Sequence, residues 1–130
     1  MSCHYEWMPE GVHSFYFSPD GRSGLDDFFA RLTEILANAP AHTRRLRYLV
    51  DVSDAGEGEA PFHELVRRFR ELEIALPQRP PGRTALIVAN SRLLSLANAL
   101  IATLAPQKDR TRFFSPERRE AALEWVLRDD

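Results

Sequence analysis

Ser53, Asp54, Glu57, Glu59 and His63 crowd into one short glycine-containing stretch, Asp51-Val52-Ser53-Asp54-Ala55-Gly56-Glu57-Gly58-Glu59, and the segment that follows it. Serine and carboxylate oxygens at that density suit the binding of a polar ligand or a cation. A calcium loop, however, needs denser oxygen ligands in a fixed order. His63 opens the next helix and can approach Asp54, but acid–base work also requires an oriented partner and a nucleophile. Asn90 and Ser91 follow a second strand and belong with this loop if the two strands run parallel, because ligand sites in such sheets lie beyond the strands' carboxyl ends. His4, His13, His42 and His63 show no metal-ligand spacing among themselves, and Cys3 is the only cysteine. Neither a glycine-rich nucleotide loop nor a Gly-x-Ser-x-Gly elbow is present. The expectation is therefore a binding site with no catalytic residue, no metal and no cofactor.

A second group is apolar. Leu93, Leu94, Leu96, Leu100, Ile101 and Leu104 cover a wide arc of a helix expected over residues 92–104. Three readings stay open: an ordinary core helix, a homodimer contact, or the wall of a pocket for a small apolar ligand, shared with Phe28, Phe29 and Phe62.

The elements that must position these groups follow from periodicity. Residues 4–8 and 12–17 alternate in polarity about Pro9-Glu10-Gly11 and predict a β-hairpin. Leu25, Phe28, Phe29, Leu32, Ile35 and Leu36 form a helical stripe over residues 23–38, with Ser23 as N-cap. Residues 46–52 predict a buried strand that opens into the acidic loop. Phe62, Leu65, Val66, Phe69 and Leu72 mark a second helix that begins near Pro61 and ends before Pro77. Residues 84–89 and 111–114 predict two more strands, and Ser115-Pro116-Glu117 starts a last helix running to about Arg128. Strands alternating with helices imply an α/β fold: a mixed, mostly parallel sheet of about five strands, an N-terminal hairpin and four helices.

Bulk composition narrows the function classes. The chain has 130 residues, 44% of them hydrophobic, which suits one domain over residues 1–130 with its own core. Seventeen basic against nineteen acidic residues give a net charge of −2, so a nucleic-acid partner is not expected. The clusters Arg44-Arg45-Arg47 and Arg67-Arg68-Arg70 read as compositional bias towards arginine. No apolar run approaches the roughly 20 residues of a membrane span. Residues 1–10 lack the basic and apolar regions of a signal peptide, which leads to the expectation of a cytoplasmic location.

The order of elements, the strand Leu46-Arg47-Tyr48-Leu49-Val50-Asp51-Val52 and the tail from Arg112-Phe113-Phe114-Ser115 to Glu124-Trp125-Val126-Leu127 resemble the STAS domain. They resemble more closely the SpoIIAA-like family of small bacterial proteins. The resemblance implies a non-enzymatic regulatory or binding module that meets a protein partner, or a small apolar ligand, through the Ser53-to-Ala60 loop and the third helix. In the anti-sigma-factor antagonists of that group, a kinase partner phosphorylates a serine in an Asp-Ser-x-Gly motif. The corresponding region here has no such motif, and the acidic neighbours of Ser53 would repel an added phosphate. The alternatives are a small enzyme using Asp51, Ser53 or His63 at the strand ends, and a structural homodimer.

Overall fold

In the computed structural model, which describes residues 2–18, 24–54, 60–89 and 110–129, the opening alternation folds as expected. β1 (Ser2–Met8) turns at Pro9 and Glu10 and returns as β2 (Val12–Ser18). The Gly11 N–H donates to the Met8 carbonyl at 2.9 Å, and Gly11 sits at φ 88°, a region that glycine enters without a Cβ penalty. α1 (Gly24–Asn38) carries Asp26 and Asp27 in its first turn, where the helix dipole favours acids. β3 (Leu46–Asp51), α2 (Ala60–Ala75), β4 (Gly82–Ile87) and β5 (Arg110–Phe114) follow, then a 3-10 turn (Pro116–Arg118) and α3 (Arg119–Val126).

The strands lie in sequential order β1-β2-β3-β4-β5, with β1 antiparallel to β2 and the other neighbours parallel. This is the expected hairpin joined to a parallel sheet. β4 starts two residues earlier than 84–89 predicts, because Gly82 pairs with Leu46 and extends the ladder. Three α-helices lie among the described residues. The helix expected over 92–104, with Leu93, Leu96, Leu100 and Ile101, lies outside them.

Strand alternation divides the core between two faces. On one, Phe15, Phe17, Tyr48, Val50, Leu86, Val88 and Phe113 meet Phe28, Phe29 and Leu32 of α1 and Leu65 of α2. Phe28 and Phe29 are core side chains here, stacked edge-on to each other and to Phe69; the 92–104 helix and the Phe62 side chain, the other walls of the expected pocket, lie outside the described residues. On the other face, Val12, Leu49, Ala85, Ile87 and Phe114 are covered by α3 through Ala122 and Val126.

α3 has only eight residues, far below the length at which a helix is stable alone. Sheet arginines receive its carboxyl end. The Arg83 Nε donates to the Trp125 carbonyl at 2.8 Å, and its guanidinium lies 4.1 Å from the centre of the Trp125 ring. Arg47 donates to the Val126 carbonyl at 2.9 Å and pairs with Asp129, while Arg45 reaches the Arg128 carbonyl at 3.3 Å. These side chains bond carbonyls at and just beyond the helix end, adding to the bond that the Trp125 carbonyl already accepts from the Arg128 N–H, and place positive charge at the negative pole of its dipole. The 44–47 cluster is therefore not mere composition: two of its arginines hold a helix. Arg67 pairs with Glu64 and Glu71 along α2, and Arg68 ties α2 to Asp26 of α1 at 2.8 Å.

The expected Ser115 cap takes a different form. Ser115 leads into the 3-10 turn without a side-chain cap bond, and α3 begins only at Arg119. Bonds from the Glu117 backbone and then from the Ser115 side chain hold the Glu117 carboxyl below its usual range. Among the described residues, no helix is long and apolar enough to cross a membrane.

Arg83 is 1% exposed. Arg83→Ala removes a charge-assisted bond, a ring contact and buried volume, and should lower the unfolding free energy in a urea titration by about 3 kcal/mol. Arg83→Lys, which lacks the planar fork, should recover less than half of that loss.

Candidate functional site

The carboxyl ends of the parallel strands carry a linked row of polar side chains on the α3 face. β3 ends at Asp51, which is buried and therefore needs partners for both carboxylate oxygens. Oδ1 accepts from the Ser53 N–H at 2.9 Å and from the Ser53 hydroxyl at 2.6 Å. Oδ2 accepts from Arg119, the first residue of α3, at 2.7 Å. The Asp51–Ser53 pair is a local turn that ends the strand and sets the course of the loop.

Beside it, Tyr16 of β2 stands next to Asp51 in register and donates its hydroxyl to Asp54 Oδ2 at 2.8 Å. His4, opposite Tyr16 on β1, stacks on the Tyr16 ring with centroids 6.0 Å apart. The structure thus brings Ser53 and Asp54 together with Asp51, Tyr16, His4 and Arg119. The backbone of His63 lies in α2; its side chain, and the whole of Glu57, Glu59, Asn90 and Ser91, lie outside the described residues.

Tyr16 and Arg119 were missed by sequence reasoning, although each left a signal. Tyr16 shares strand parity with Ser14 and Ser18, so it belongs to the face opposite the aromatic core. An arginine in the first turn of a helix opposes the dipole, and therefore calls for a carboxylate nearby.

Among the described residues, the row's side chains are already bonded to one another. Ser53 is oriented, but its proton already points at Asp51, whose other oxygen is engaged by Arg119. Nucleophilic catalysis would need a base free to take that proton and donors for the developing oxyanion. What the row presents outward is a phenol, an exposed Asp54 carboxylate and a guanidinium that is 50% exposed. Among the described residues, no three His, Cys, Asp or Glu side chains converge as metal ligands.

A second cluster occupies the other face at the β1–β2 end. The Tyr5 hydroxyl lies 2.7 Å from His13 Nδ1, and His13 packs against Trp7 and Tyr48 at centroid distances of 4.6 and 5.7 Å. Burial pushes the His13 pKa down. Burial also raises that of Tyr5, with Arg31 opposing and Glu34 adding. The Cys3 thiol is pushed up to about 12 by burial and by Asp27, so it stays protonated and unreactive.

Two outcomes follow from this geometry. Asp51→Ala leaves the Ser53 donors and Arg119 unmatched and should cost about 2 kcal/mol of stability, against less than about 1 kcal/mol for Ser53→Ala, in matched urea titrations. The lowered His13 pKa means that the unfolded chain protonates first as pH falls. Its contribution is complete above the unfolded value near 6.5 and is lost as pH drops through the folded value. Wild-type stability should therefore fall more between pH 8 and about pH 5.5 than that of His13→Gln; an equal fall in both proteins would contradict the assignment.

A family model described as SpoIIAA-like matches residues 15–127. The match begins inside β2 and takes in every later element to the end of α3, leaving β1 outside it. No curated protein and no solved structure matches the chain.

Proposed function

Because this chain belongs to the SpoIIAA-like family, we propose that it is a non-enzymatic regulatory module that binds a protein partner through the carboxyl-end row of its sheet. Domains of this family are typically regulatory rather than enzymatic. The observation that carries the reading is the row itself. Tyr16, Asp54 and Arg119 are each fixed by a side-chain hydrogen bond and each faces outward, an arrangement that recognises a surface with little loss of side-chain entropy. In this reading the chain works as one cytoplasmic domain. Asp51 and Ser53 shape the contact, and Glu57, Glu59, His63, Asn90 and Ser91 extend it.

One feature favours a small apolar ligand instead. At the opposite end of the sheet, a cleft of about 630 Å³ lies between the ends of α1 and α2, lined by Leu36, Pro40, Leu76, Pro77 and Pro81 among others. Its volume suits a small molecule. It is, however, broadly open, so a ligand there would keep contact with solvent.

The test is photo-crosslinking from a benzoylphenylalanine placed at position 16 or 54, with position 74 on the exposed outer side of α2 as control. The expected result is one discrete protein adduct from 16 and 54, absent from 74 and lost with Arg119→Glu. No adduct from 16 and 54, together with a small bound mass on native mass spectrometry that disappears on filling the cleft with Ala37→Trp, would transfer the function to the cleft.

A further inference from the structure

β1 is the outermost strand of the sheet, and its outer edge has no strand partner among the described residues. Natural edge strands are usually blunted by brevity, by lysine or proline, or by a bulge. β1 shows none of these over its seven residues, Ser2-Cys3-His4-Tyr5-Glu6-Trp7-Met8, and its pairing with β2 is unbroken. It also carries Trp7, one of the large apolar side chains the fold leaves open, at 56% exposure. An edge with no strand partner among the described residues, beside an exposed tryptophan, is a surface suited to another strand.

We propose that this edge pairs with β1 of a second copy of the chain, antiparallel about a two-fold axis through Tyr5. The occupant follows from the strand's own pattern. Directly opposed residues share a face, so only registers that keep parity are open. Centred on Tyr5, all seven residues overlap, and His4 faces Glu6 of the partner subunit twice, once on each side of the axis. A slip of the axis to Glu6 sets it against the partner subunit's Glu6, and a slip to His4 sets two histidines together; both shorten the overlap. Opposed unlike charges stabilise an antiparallel pair and like charges weaken it. The Tyr5 register is thus the longest, it avoids the Glu6–Glu6 clash, and it sets a hydrogen-bonding imidazole opposite each carboxylate. On the other face, the same register lays Trp7 over Cys3 of the partner subunit, a large side chain against a small one. The interface is isologous, as a closed dimer requires. It engages His4 but leaves Tyr16, Asp54 and Arg119 outside the strand pairing on each subunit.

Sedimentation of the purified full chain between about 1 and about 100 μM tests the pairing. The wild type should form dimers in that range. His4→Glu alone sets carboxylates face to face at both sites and should weaken association at least about tenfold. Adding Glu6→Lys to it replaces the facing carboxylates with unlike pairs and should bring the affinity back to within about threefold of wild type. A wild type that stays monomeric throughout, a dimer indifferent to His4→Glu, or a double variant no tighter than the single one would each overturn the proposal.

Discussion

A helix of about two turns has more backbone groups without intrahelical partners than it has hydrogen bonds, and α3 depends on something else to receive them. The sheet does so with Arg47 from β3 and Arg83 from β4, whose guanidinium groups bond the carbonyls of Val126 and Trp125. Arg83 is almost wholly buried and is covered by the Trp125 ring. A buried cation is costly unless its donors are used. The helix end and the arginine therefore require each other. Without that contact, Val12, Leu49, Ala85, Ile87 and Phe114 would lose the cover that Ala122 and Val126 give them.

The same helix governs the polar row. Its carboxyl end is clamped near the start of the parallel strands, and its first residue, Arg119, reaches Asp51 at their far end. Asp51 in turn orders Ser53, and Asp54 next to it receives Tyr16. A short rod pinned at both ends thus couples the packing of one sheet face to the shape of the loop that presents Asp54. Regulation through such a surface depends on shape held in advance, and the ion pair at Asp51 supplies that hold.

Much of the fold was legible because core stripes obey simple periods. Leu25, Phe28, Phe29 and Leu32 predicted α1 and its buried side, and alternation about Pro9-Glu10-Gly11 predicted the hairpin. The arginines were harder to read. Arg83, Ala85 and Ile87 share one face of β4, as Arg47, Leu49 and Asp51 do on β3. A charged residue on an inward parity is the signal, and its meaning depends on a helix far along the chain. Ser115 looked like a cap because serine before proline usually is one; a 3-10 turn took up those residues first. Ser53 and Asp54 were legible as site candidates from type and spacing. Tyr16 and Arg119 join them only through strand register and the docking of α3, neither of which a local pattern encodes.

Amide hydrogen exchange tests directly whether the clamp at the end of α3 supports the strand-end row. The Ser53 amide is the reporter, since its N–H is held by Asp51. In Arg83→Met, the α3 amides should lose protection, and the Ser53 amide should lose protection with them while the amides of α1 stay slow. A Ser53 amide as protected in the variant as in the wild type, with α3 already exchanging freely, would show that the site stands without the helix and would contradict the account.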